Sequence, residues 1–127
     1  KNEDKQIVVW LPTILINSKK ELDLAKKVVA IVLADTPQEV IQLSKIDVNE
    51  AENIRRYYNQ NNVKRALELI SDEIMEEMLF YGSAEDICSE FAALGRHGIH
   101  EVVFGPPFGR DIQSAIMEIS RTWRENL

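Results

Sequence analysis

The sequence predicts a helix-rich α/β fold built from parallel βα units, too few to close a (β/α)8 barrel. Three observations predict it. Short β-branched runs alternate with longer helical patterns, the order expected of right-handed parallel connections. The first of these runs is apolar without alternation, which suits a strand covered on both faces. The chain has 127 residues, whereas a closed eight-stranded barrel takes about 250. Few parallel strands are present, so the set reads as the second half of a larger whole.

Residues 7–11 (IVVWL) read as a buried strand ended by Pro12. Ser18 then stands where a helix N-cap belongs, with Glu21 three residues on to complete a capping box. Leu22, Ala25, Val29 and Val32 form its apolar stripe, opposite Lys19, Asp23, Lys26 and Lys27. Residues 28–34 are apolar nearly all round, so this end should be buried by more than one neighbour or meet another chain. Thr36, Pro37 and Glu39 repeat the start signal for a short helix to about Leu43. Asp47 or Asn49 starts another, turning Ala51, Ile54 and Tyr58 inward before the polar break at residues 59–62.

Val63, Ala66, Leu67, Ile70 and Ile74 follow as one helical stripe, and residues 78–81 form a brief apolar piece that reads as a short strand. Ser83 with Asp86 caps the next helix, whose buried side holds Ile87, Cys88, Phe91 and Leu94 and which Gly98 closes. A strand over residues 101–104 enters a glycine-proline turn, residues 105–111. The last helix aligns Ile112, Ala115, Ile116, Ile119 and Trp123 on one face. No linker or repeat divides the chain, so residues 1–127 are expected to form a single domain.

Composition narrows the partners. Against 15 basic residues stand 21 acidic ones, a net charge of −6, which speaks against a nucleic-acid or anionic-membrane surface. No apolar run approaches the ~20 residues of a membrane span. The single cysteine, Cys88, excludes an internal disulfide and suits a reducing, cytoplasmic setting. The chain begins at Lys1 instead of Met, as a piece of something longer would.

The turn Gly105-Pro106-Pro107-Phe108-Gly109-Arg110-Asp111 is the foremost candidate site. It follows a strand and precedes a helix, the place where barrel enzymes bind phosphate, and Arg110 with helix amides would attract an anion. The competing reading is geometric: two glycines turn, two prolines stiffen and remove amide donors, and Asp111 caps a helix. Trp10, Pro12 and Thr13 end the first strand at the same rim, with Thr13 the polar candidate; Trp10 is otherwise expected between strand and helix. His97 and His100 lack the partners of a metal set. Cys88 lies on an apolar stripe and reads as core. Asp72, Glu73, Glu76 and Glu77 read as a solvated helix face.

These residues resemble the luciferase-like family of flavin- and deazaflavin-dependent enzymes, and within it the coenzyme F420-dependent methylenetetrahydromethanopterin reductases. The similarity runs from Gly82-Ser83-Ala84-Glu85-Asp86 through His97-Gly98-Ile99 and Val102-Val103-Phe104 to the turn at residues 105–111, with further likeness in AKKVVA and DVNEAENIRRYY. Pro106 departs from the small residue more usual there. The resemblance implies the last three βα units of such a barrel and a rim formed by Thr13, Gly105, Pro106, Pro107, Gly109 and Arg110. It also implies F420, alternatively FMN, held only in an intact barrel whose N-terminal strands carry most cofactor contacts. The activity implied is that of an oxidoreductase passing hydride to a one-carbon tetrahydromethanopterin substrate. A second reading is a non-catalytic truncated barrel acting by self-association, as a homo-oligomer or with the missing N-terminal half.

Overall fold

The computed structural model of the protein describes residues 7–125; the expected single domain includes residues 1–6 and 126–127, which lie outside that span. The elements run β1 (Val8–Leu15), α1 (Lys19–Asp35), α2 (Gln38–Ile41), α3 (Val48–Asn59), α4 (Val63–Glu68), α5 (Asp72–Met78), β2 (Phe80–Gly82), α6 (Ala84–Arg96), β3 (Glu101–Phe108) and α7 (Ile112–Glu125). The chain groups into two compact units, Lys1–Asn17 with Phe80–Leu127, and Ser18–Leu79.

The first unit is a three-stranded, wholly parallel sheet in the order β2-β1-β3, with α6 and α7. Leu15, Phe80, Ala84, Ile87, Cys88, Ala115 and Ile119 form its core, joined by partly buried Leu11, Val102, Phe104 and Trp123. Because strand side chains alternate between faces, Leu11 and Leu15 of β1 and Val102 and Phe104 of β3 mark the face that packs on the helices. Phe80 with Phe104 and Phe91 with Trp123 meet edge to face, and Phe91 meets Phe104 at a tilt of 50°, with centroids 4.5–5.8 Å apart. Such pairs add about 0.5–1.5 kcal/mol each beyond area burial.

Both long strands overrun their expected ends. β1 continues through Pro12 to Leu15, and β3 continues through Gly105-Pro106-Pro107 to Phe108. Parallel pairing carries them on, from Val8 opposite Glu101 to Pro12 opposite Gly105 and then Ile14 opposite Phe108. Two steps along β1 thus face three along β3, so β3 holds one extra residue at Pro106-Pro107. Prolines are tolerated at such an irregularity and on an edge strand such as β3.

The second unit is helical. Val29, Ala30 and Leu33 of α1, Ile54 of α3, Ala66 of α4 and Ile74 with Met75 of α5 are fully or almost fully buried. α1 packs against α3, α4 and α5; of its apolar end, Val29, Ala30 and Leu33 are buried as expected, while Ile31 stays 48% exposed. Its C-terminus departs from expectation, because Thr36 closes α1 instead of opening α2. The Thr36 amide donates to Leu33 O and its hydroxyl to Val32 O. Arg55 of α3 adds Nε and Nη2 bonds to Leu33 O at 3.2 and 2.9 Å and a further bond to Thr36 O. A cation at the last carbonyls suits a helix with no basic residue in its own last turn. The single stripe expected from Val63 to Ile74 is two helices, because Ser71 accepts the Ile74 amide and starts α5 afresh.

Candidate functional site

The three strands end level. Leu15 lies opposite Gly82 and Ile14 opposite Phe108, and the Ile16 amide donates to Gly82 O at 2.8 Å. Residues 13–16, 82–83 and 105–111 therefore share one rim at the C-terminal ends of parallel strands, the edge at which ligands enter α/β sheets.

Each expected rim residue has a definite place. Thr13 is fully buried and its hydroxyl donates to Leu11 O at 3.3 Å. Gly105 is buried beneath Trp10: a Cβ built on it would stand 2.4 Å from Trp10 Cζ2. Only glycine allows the indole to lie that close to the strand. Trp10 is 56% exposed, and it alternates with Leu11, so it lies on the face away from α6 and α7. It does not pack between strand and helix. A glycine inside a strand pattern was the available signal for this close approach, and the turn reading of residues 105–111 hid it.

Pro106 and Pro107 are joined by a cis peptide bond. Phe108 and Gly109 follow with φ of 66° and 144°; a Cβ on Gly109 would meet nothing nearer than 3.7 Å, so its backbone angle, not space, calls for glycine. The Gly109 amide donates to Pro107 O at 2.8 Å. Asp111 caps α7, its carboxylate accepting the Ser114 amide at 3.0 Å. Arg110 is exposed.

This turn is a poor anion cradle by its own atoms. Two of its residues have no amide, the Gly109 amide is engaged, and a carboxylate occupies the mouth of the following helix. At the start of α6, just after β2, Asp86 completes a capping box with Ser83, accepting its amide at 3.2 Å while Ser83 Oγ accepts the Asp86 amide at 3.1 Å. The rim residues present therefore do not fit a phosphate-bearing cofactor without further chain.

The remaining candidates are structural. His100 Nδ1 accepts the Ile7 amide at 2.9 Å, and the His100 amide donates back to Ile7 O, tying the starts of β1 and β3 together. His97 is the exposed C-cap of α6. No group of three or more His, Cys, Asp or Glu residues is gathered among the described residues. Cys88 is buried with Sγ 3.7 Å from Ile119 O; burial pushes its thiol pKa up and the nearby Glu85 charge adds to this. Asp72, Glu73, Glu76 and Glu77 are exposed. No helix is long and apolar enough to cross a membrane among the described residues.

The fold defines a class: part of a parallel βα barrel, with a rim at the strand ends. A solved coenzyme F420-dependent tetrahydromethanopterin reductase from Methanopyrus kandleri matches 95% of this chain with a TM-score of 0.81 at 21% identity, and the match takes in 35% of that chain. No family model matches. A curated 5,10-methylenetetrahydromethanopterin reductase of Methanopyrus kandleri is 27% identical over 97 residues, which are 76% of this chain. The chain is homologous to the C-terminal part of this F420-dependent reductase. It spans 28% of the curated relative's length.

Proposed function

We propose that the chain is the C-terminal part of an F420-dependent oxidoreductase, in which hydride passes from reduced F420 to a methylene-tetrahydromethanopterin-type one-carbon substrate. The sequence match over 97 residues carries this reading. In it the chain holds the last part of the barrel rigid and walls the rim with Thr13, Gly105, Pro106, Pro107, Gly109 and Arg110. These side chains orient and exclude water, while the cofactor supplies the reacting carbon. No rim side chain of this chain is assigned a proton transfer. The enzyme would work in the cytoplasm, where a lone reduced cysteine is at home.

The test replaces the matched C-terminal part of the Methanopyrus kandleri reductase with this chain and titrates the folded hybrid with F420 and, separately, FMN. Saturable F420 binding with reduction of the methylene substrate is the expected result. A folded hybrid that binds neither cofactor, or binds FMN alone, refutes the reading.

A further inference from the structure

Helix α1 carries more apolar surface than its own unit covers. Its buried arc is formed by Ala25, Val29, Ala30 and Leu33. At about 3.6 residues per turn, Ile31 stands on the opposite side, where it is 48% exposed. Leu24 and Val28, both partly exposed, lie on that same side. Positions 24, 28 and 31 step by four and then three, the spacing at which one helix lays a seam against another. An ordinary surface helix buries one stripe and gives its other side to charge. On α1 a second apolar line runs through that other side.

Two charges flank this line. Lys27 and Asp35 are exposed, and each stands one turn from Ile31, in opposite directions. Neither has an ion-pair partner among the described residues. Asp35 is the last residue of α1, where a carboxylate meets the negative end of the helix dipole, and no basic residue in that last turn offsets it. Arg55, the cation capping this helix end, is engaged with Leu33 O, Thr36 O and the Glu52 carboxylate. The carboxylate is therefore placed where a positive charge from outside the unit would relieve it.

A second copy of the chain supplies that charge. Two α1 helices laid antiparallel about a two-fold axis at Ile31 bring each Lys27 level with the other copy's Asp35. Both residues lie about 6 Å along the helix from Ile31, so the match is reciprocal. Val28 comes level with Ala34 in the same way, and Ile31 meets Ile31 at the centre. A parallel pair would instead set Lys27 against Lys27 and Asp35 against Asp35. Two-fold dimers use one surface that complements itself, and this surface does.

We propose that the outer face of α1 is a homodimer interface, in which two copies pack antiparallel through Leu24, Val28 and Ile31 with reciprocal Lys27–Asp35 ion pairs. A contact one helix wide falls at the low end of the about 1,200–2,000 Å² buried in standard interfaces, so the dimer is a weak one. The proposal is independent of the reaction proposed above.

Sedimentation equilibrium of the 127-residue chain, from low to high micromolar concentration, should show a reversible monomer–dimer equilibrium. Ile31→Lys should weaken it about a hundredfold, since each dimer loses two central apolar side chains. Lys27→Asp and Asp35→Lys should each weaken it about tenfold, because each sets two like-charge pairs across the seam. Mixing those two single variants should restore association to that of the parent, because their heterodimer regains both opposite-charge pairs. Recovery on mixing requires the two positions to meet between copies, and a folding defect cannot imitate it. Met117→Lys on α7 should leave the dimer unchanged, and far-UV circular dichroism confirms that each variant folds. A chain that stays monomeric throughout overturns the proposal. So does a dimer indifferent to Ile31→Lys, one abolished by Met117→Lys, or a mixture of the charge variants that fails to recover. None of these outcomes bears on the proposed reaction.

Discussion

The two compact units solve the same problem with unequal success. The helical unit, Ser18–Leu79, ends its helices with side-chain caps at Ser18, Asp47, Asn62 and Ser71, and a cross-helix cap from Arg55. Its exposed large apolar residues, Ile31, Val40 and Leu43, lie on α1, α2 and the turn after it. The sheet unit has an equally dry center around Ile87 but leaves Val8, Trp10, Val103, Ile112, Ile116 and Met117 in water. The contrast comes from the elements themselves. A helix satisfies its backbone internally and needs one apolar stripe covered, whereas a parallel strand needs cover on two faces and partners on two edges.

Core truncation should separate the two units most strongly. Ile54→Ala in the helical unit and Ile87→Ala in the sheet unit remove fully buried side chains, each at a cost of about 2–5 kcal/mol. Both tryptophans, Trp10 and Trp123, belong to the sheet unit, so urea titrations followed by fluorescence report that unit while circular dichroism is dominated by helices. Ile87→Ala should shift the fluorescence midpoint. If Ile54→Ala shifts it equally, the units unfold as one and the comparison loses its energetic meaning.

A smaller effect tests the Trp10–Gly105 contact. Gly105→Ala places a methyl where Trp10 Cζ2 stands 2.4 Å away, and should cost about 1–3 kcal/mol through overpacking. In Trp10→Ala the same glycine substitution should be nearly neutral, so a double-mutant cycle reads the contact directly. Additive losses in that cycle would show that the glycine is needed for some other reason.

The smallest effect concerns pH. The folded Cys88 thiol has a raised pKa, so between the unfolded value of about 8.5 and the higher folded value the unfolded chain releases a proton that the folded chain keeps. Its contribution is therefore whole below pH ~8.5 and declines as pH rises through that window. Comparing Cys88→Ala with the parent from pH 7 to 10 should show a shallower decline in the variant. Reaction of the native thiol with a disulfide reagent at pH 8 should be slow beside that of the unfolded chain; equal rates would mean the sheet unit opens freely.

How much was readable in advance follows the range of the interactions. The capping box of Ser83 and Asp86, the Ser18 start of α1 and the left-handed Gly98 stop depend on residues a few positions apart, and the pattern announced each of them. Leu11 beside Trp10, and Phe104 beside Gly105, were harder. Whether a strand outlasts a proline, and which of two neighbours faces water, is decided by residues some 90 positions away on the paired strand. The turn at residues 105–111 was expected to begin where β3 ends, whereas β3 runs on through it to Phe108, and its backbone hydrogen bonds could not be read from the sequence. That Gly105 lies under the indole of Trp10 appears only once β3 is laid against β1.

The sequence by itself determined the class of the protein, the starts of most but not all of its helices and the homology to an F420-dependent reductase, because capping, periodicity and motif spacing are local properties. The tertiary structure alone decided the strand order β2-β1-β3, the reach of β1 and β3, and the exposure of Trp10 beside an open edge. Those depend on which distant backbone donors meet which acceptors, and no short window of sequence contains both partners.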